Sequence, residues 1–191
     1  MWFSDSVTSA GVSTRPATPA DVPEIYALIC ELAEYEREPD AVVGSLADLH
    51  DALFVGSQTP TGAPATYARV VDDPDRAGHL TAVALYFLNY STWLGKHGIY
   101  LEDLYVRPEF RGRGYGTALL TDLAQLCVER GYGRLEWSVL DWNRPAWDFY
   151  EAHGAEPMTE WTVHRVSGSN LIALATQGRD AADEAGEVAH D

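Results

Sequence analysis

The chain has 191 residues, 46% of them apolar and 22% charged, enough for a buried core and too apolar for wholesale disorder. Thirteen Lys and Arg stand against 29 Asp and Glu, a net charge of −16. Such a surface repels polyphosphate and excludes a nucleic-acid binder built on a basic stripe; it suits a cationic or neutral ligand.

Residues 1–12 show no period and are expected to form an N-terminal extension. Met1-Trp2-Phe3-Ser4-Asp5 has no basic start and no apolar core, so it reads as no signal peptide. Ser13 to Ala17 predicts a short strand. Thr18-Pro19-Ala20-Asp21 then supplies an N-cap, a first-turn proline and an acid three residues on; Val22, Ile25, Ile29 and Leu32 continue at helical spacing to about Glu36. Ser45-Leu46-Ala47-Asp48 opens a second helix. Ala65 to Asp72 reads as a strand before an Asp-Pro turn. His79 to Tyr90 and Gly98 to Val106 read as an antiparallel pair. A glycine-rich turn leads into a helix carrying Leu119, Leu120, Leu123, Leu126 and Cys127, which Gly131 can close. Leu135 to Leu140 is a further strand and Asn143 to His153 a short helix. Trp161 to Val166 and Asn170 to Thr176 read as closing strands. Residues 178–191, with five acids and no aromatic, are expected to be a disordered acidic tail. The alternation predicts one α/β domain over 13–177, a mixed, mostly antiparallel sheet flanked by helices.

Other chemistries fail on inventory. No Gly-x-Ser-x-Gly or His-Glu-x-x-His occurs, the six histidines lack ligand spacing, and no metal site is expected. Two cysteines, Cys30 and Cys127, fall in apolar helical patterns and suit core packing in a reducing, cytoplasmic setting. No run approaches the roughly 18 apolar residues of a membrane span, so no membrane role is expected.

The most informative segment is Leu101-Glu102-Asp103-Leu104-Tyr105-Val106, followed by Arg111-Gly112-Arg113-Gly114-Tyr115-Gly116-Thr117. A strand ends, and three alternate glycines enter an amphipathic helix. Glycines let backbone N–H groups converge on an anion where the helix dipole favours negative charge. Lys96, Arg107, Arg111 and Arg113, four of the thirteen bases, fall within eighteen residues. These features suit a pyrophosphate. The segment has no Gly-Lys-Ser/Thr of a P-loop, and its Gly-x-Gly-x-Gly spacing is not the dinucleotide fingerprint.

Arg-x-x-Gly-x-Gly resembles the coenzyme A loop of the Gcn5-related N-acetyltransferases. Arg15-Pro16-Ala17-Thr18, the stretch Ile29 to Glu36, Tyr100 to Val106 and Trp142-Asn143-Arg144-Pro145 with Phe149-Tyr150 are similar to blocks of the diamine (spermidine/spermine) acetyltransferases, in order and spacing. The resemblance implies acetyl-CoA as co-substrate, its pantetheine on the backbone of Leu104, Tyr105 and Val106 and its pyrophosphate on Arg111, Gly112, Arg113, Gly114, Tyr115, Gly116 and Thr117. Asn143, Arg144, Pro145 and Ala146 would lie beside the cofactor. Tyr150 would protonate the departing thiolate, a task suited to a phenol with an ordinary pKa of about 10.

The same resemblance assigns a small cationic amine to Tyr35, Glu36, Glu102 and Glu160, in a homodimer. Successive strand residues face opposite sides, so Glu102 and Asp103 share a groove only across a bulge; Glu102 is the preferred acid, as substrate anchor, base or water relay. Glu160 falls in a segment about two residues shorter than the family pattern. Arg37 stands where the family often has an aromatic. Acceptors left open are a diamine or polyamine, a thialysine-like amino acid, an aminoglycoside or a protein N-terminus. A non-catalytic coenzyme A sensor or interaction module is the alternative to an enzyme.

Overall fold

The structure is a computed structural model that describes residues 7–9 and 11–187, with side chains for 11–177. It divides into two compact units, 1–138 and 139–191.

The first unit is a sheet in the order β1 (Val7–Ser9), β2 (Val12–Pro16), β3 (Thr66–Asp72), β4 (Leu80–Ser91), β5 (Lys96–Val106) and β6 (Leu135–Glu136). All neighbours are antiparallel except β5 and β6. The mixed α/β class predicted from the pattern is what forms. Strand β1 pairs with β2 inside the expected extension, and the rest of residues 1–10 lies outside the described residues.

Helix α1 (Val22–Tyr35) starts as the sequence predicts: Asp21 accepts the Thr18 N–H at 2.7 Å and its hydroxyl at 2.8 Å. Its buried face carries Val22, Ile25 and Leu28, and Ile25 and Leu28 pack in one core with Val70, Val83, Leu85 and Tyr105 of the sheet. Each fully buried Leu or Ile there contributes about 1.5–3 kcal/mol. The helix is also pinned by charge. Arg107, just past β5, donates to Glu31 at 3.0 Å, to Glu24 at 3.2 Å and to the Leu80 carbonyl at 2.7 Å. Helix α2 (Leu46–His50) continues as a wide turn to Val55.

The opposite face carries α3 (Tyr115–Arg130), whose Ala118, Leu119, Leu123 and Cys127 are buried. Gly131, at φ 66°, ends it as a left-handed cap. Beneath α3 lies a buried polar knot. Asp122 accepts from Arg69 at 2.7 Å and from Thr14 at 2.6 Å, with the two charged side chains only 5% and 1% exposed. Both cysteines are free thiols, Cys127 buried and Cys30 half-buried.

The second unit contains α4 (Arg144–Ala152) and α5 (Gly168–Glu187). Here sequence expectations are corrected. Residues 161–167 take no regular structure despite their alternating apolar pattern; Trp161 N–H closes a turn on the Met158 carbonyl at 3.2 Å. Residues 170–176 are helical rather than extended, consistent with Leu and Ala, strong helix formers, recurring through the segment. The helix continues through Glu187, into the segment expected to be disordered. The strand expected over 135–140 is also shorter, ending at Glu136.

Removing one partner of a buried ion pair strands the other in low dielectric. Asp122→Ala is therefore expected to cost about 3–5 kcal/mol in chemical denaturation. A loss below about 1 kcal/mol would show that the Arg69 charge is relieved by water.

Candidate active site

Strand β5 pairs with β4 in one register from Ala82↔Val106 to Leu85↔Asp103 and in another from Tyr86↔Leu101 onward. Glu102 is the extra residue, a β-bulge that bends the strand. On its other edge β5 pairs with β6 only at Ile99↔Leu135 and Tyr100↔Glu136. Leu104, Tyr105 and Val106 run beyond that ladder, so among the described residues no strand pairs with this edge. It is the backbone the sequence resemblance assigns to pantetheine.

Past β5 the chain turns through Gly112 (φ 72°) and Gly114 (φ 85°) into α3. Nothing lies within 4 Å of where a Gly112 Cβ would stand. Gly114 is the N-cap and so offers no side-chain acceptor, and the first turn of α3 carries no acid. The first N–H groups of a helix have no partner within it, and the dipole places partial positive charge there. An open, positive-φ glycine loop at an uncapped helix entrance fits a diphosphate.

The basic cluster seen in sequence is only partly a cluster in space. Lys96 begins β5, ten residues from Val106, roughly 30 Å along an extended strand. Arg107 is committed to Glu24 and Glu31. Arg111 and Arg113 remain at the loop. The Arg111 Nε donates to the Val106 carbonyl at 2.9 Å, and its guanidinium lies 4.9 Å from the Tyr35 ring centroid and 5.6 Å from that of Tyr105. Arg113 lies 5.5 Å from the Phe110 ring.

The bulge also creates an acidic group. Asp103 lies directly across from Leu85, on the face α1 covers, and burial pushes its carboxyl up to about 6. Glu102 and Glu36 add to the rise by repulsion. The Glu36 carboxyl is itself raised by burial. The C-terminus of α1 brings Glu36 there. Glu36 N–H bonds the Leu32 carbonyl at 2.8 Å and Glu38 N–H that of Ala33 at 2.9 Å, with Arg37 between them at φ 67°. That closure is usually made by glycine. The structure therefore gathers Tyr35, Glu36 and Glu102 with Asp103, which the preference for Glu102 set aside. A bulge leaves no mark in the letters of one strand; the adjacent acids were the available signal.

In the second unit, Asn143 is buried and caps α4, its side chain accepting from the Ala146 N–H at 3.3 Å. Arg144, Pro145 and Ala146 form the first turn, and Trp147 Nε1 donates to the Leu140 carbonyl at 3.2 Å. Tyr150 sits half-buried on α4, its ring 5.1 Å from Phe149. Glu160 is exposed in the irregular stretch after α4. Among the described residues no group of His, Cys, Asp and Glu could hold a metal ion, and no helix is long and apolar enough to cross a membrane.

The family model "Acetyltransferase (GNAT) family" matches residues 24–155. A thialysine N-epsilon-acetyltransferase from Bos taurus is 37% identical, over 87% of this chain and 98% of its own length. An L-ornithine N5-acetyltransferase from Arabidopsis thaliana is 33% identical, over 84% and 86%. In fold, an integron cassette protein from the V. cholerae mobile metagenome aligns with a TM-score of 0.68 at 22% identity, covering 86% of this chain and 97% of that one.

The raised Asp103 fixes a sign. The folded chain holds this proton up to about pH 6 and the unfolded chain releases it near 3.8, so ionising Asp103 destabilises the fold as pH rises through that window. Asp103→Asn is expected to raise stability at pH 7 by roughly 1–3 kcal/mol and to leave it unchanged near pH 3.5. Equal denaturation midpoints for the two proteins at pH 7 would refute the raised value.

Proposed function

We propose that this chain, which belongs to the acetyltransferase (GNAT) family and is an acetyl-CoA-dependent N-acyltransferase, takes as acceptor a small amine with a second cationic centre. A diamine or polyamine meets that description, and so does a diamino acid. The observation that carries the reading is the grouping of Glu36, Glu102 and Asp103 beside the free edge of β5. Asp103 and Glu36 are partly desolvated and Glu102 stands exposed beside them, a grouping that suits a dication. The relatives named for ornithine and thialysine support the same class, since each of those molecules pairs a terminal amine with an α-ammonium group.

Bound acetyl-CoA supplies an activated acetyl group. The uncapped entrance of α3, with Gly112, Gly114 and Arg113, would hold its diphosphate, and the backbone of Leu104 to Val106 its pantetheine arm. The protein must then do two things with protons. An amine attacks only after losing one. An ordinary carboxylate is a poor acceptor from an ammonium near 10.4; raising Asp103 to about 6 lowers the cost of that transfer by roughly 3 kcal/mol. Asp103 is our choice for base, directly or through water, with Glu36 and Glu102 holding the distal cation. Tyr150 is our choice for the group that returns a proton to the departing thiolate, on the family pattern around Asn143 and Phe149-Tyr150. Glu160 is the weaker match for a further substrate acid. We take the catalytic domain as 13–177, and the resemblance and the sparse cysteines support a cytoplasmic homodimer.

Release of free thiol from acetyl-CoA tests the acceptor. Putrescine, spermidine and ornithine are expected to exceed n-butylamine in kcat/KM, with added salt narrowing the gap because screening acts on the distal charge. Equal values for n-butylamine and putrescine would refute the dication reading. Tyr150→Phe is expected to lower kcat by about 10²- to 10⁴-fold with acetyl-CoA affinity intact; an unchanged kcat would remove Tyr150 from the proton path.

A further inference from the structure

Arg111 opens the loop that fits a diphosphate, yet its side chain turns away from that loop. Its guanidinium lies 4.9 Å from the Tyr35 ring and 5.6 Å from the Tyr105 ring, a cation over two aromatic faces. Its Nε also occupies the Val106 carbonyl at 2.9 Å, on the free edge of β5. Tyr35 precedes Glu36, and Tyr105 lies two residues beyond Asp103 on the same face of β5. The two rings therefore border the carboxylates assigned above to a cationic acceptor.

We propose that Tyr35 and Tyr105 form an aromatic clamp for the ammonium group of the acceptor, and that Arg111 fills this clamp until coenzyme A is bound. The proposal rests on the amine-acetyltransferase reading and adds the regulation of its acceptor site. Aromatic faces attract guanidinium and ammonium groups alike through the ring quadrupole, so the two cations compete for one place. A diphosphate at the entrance of α3 offers Arg111 charge-assisted, bidentate hydrogen bonds, which outweigh the cation–π contacts of this exposed guanidinium with the half-buried Tyr35 and the buried Tyr105. As Arg111 swings to the diphosphate it releases both rings and the Val106 carbonyl. One movement thus clears the acceptor clamp and the pantetheine-facing backbone. Because coupling between sites is reciprocal, the acceptor tightens coenzyme A by the same factor as coenzyme A tightens the acceptor.

Calorimetric titration of the full chain separates the possibilities without turnover. Putrescine and ornithine are titrated into free protein, into protein saturated with coenzyme A, and into protein saturated with pantetheine, which lacks the diphosphate. Coenzyme A is expected to tighten acceptor binding on the order of tenfold, and pantetheine, which competes only for the Val106 carbonyl, to tighten it clearly less. Arg111→Met is expected to bind the acceptor without coenzyme A as tightly as the loaded wild type does, with no further gain on loading. Tyr35→Leu is expected to weaken acceptor binding in the loaded state and leave it unchanged in the free state. Coupling of wild-type size in Arg111→Met, or equal tightening by pantetheine, overturns the clamp while leaving the acetyltransferase reading intact. Absence of binding by both putrescine and ornithine in every state overturns the dication reading and the clamp with it.

Discussion

One extra residue in β5 organises the first unit. Had Glu102 been paired, β5 would continue in a single register against β4, and Glu102 and Asp103 would face opposite sides of the sheet. The bulge changes the direction of β5 just where its ladder with β6 stops, two residues earlier at Tyr100. Strand β5 is therefore part of a sheet at one end and an open edge at the other. The open edge leads directly into the glycine loop and α3. Two of the three acids, Glu102 and Asp103, lie with the free backbone and the helix entrance within sixteen residues, from Glu102 to Thr117, of one chain segment.

Two devices hold neighbouring helices to that segment. On one face Arg107 binds Glu24 and Glu31 together with the Leu80 carbonyl, so α1 is tied to the end of β5 and the start of β4. Glu24 in turn accepts the Leu80 N–H at 3.1 Å. This tie spans α1 from Glu24 to Glu31, and Tyr35 and Glu36 follow about one turn beyond it. On the opposite face Asp122 binds Arg69 and Thr14, fixing α3 against β2 and β3. A buried pair of this kind contributes little net stability over an apolar one, but losing one partner strands the other charge in the interior.

Much of this was legible in the residues. Thr18 and Asp21 announced α1, the alternating glycines announced the loop, and Gly131 marked the end of α3, because each is local chemistry with one conformational meaning. The resemblance assigns pantetheine to the backbone of Leu104 to Val106, and among the described residues the short β6 leaves that edge of β5 unpaired. What could not be read was relational. The bulge at Glu102 is a mismatch between two strands and exists in neither alone. The commitment of Arg107 to α1 needed partners 76 and 83 residues away, Glu31 and Glu24. Trp161 to Val166 alternate as a strand would, but alternation records only which side chains could share a face. Asn170 to Thr176 suited either state on apolar content, and the local preference of Leu and Ala accords with the helix.

The uneven placement of charge bears on how the two substrates first meet the enzyme. A chain of net charge −16 presents a repulsive field to coenzyme A, relieved locally by Arg111 and Arg113, and an attractive field to an ammonium-bearing acceptor. Fields of this kind act over about a Debye length, ~8 Å at physiological ionic strength, before any contact forms. Salt therefore shortens the wait for one substrate and lengthens it for the other. The ionic strength of fastest encounter is a compromise between two opposed diffusional problems, set by the acidity of the whole surface as much as by the site.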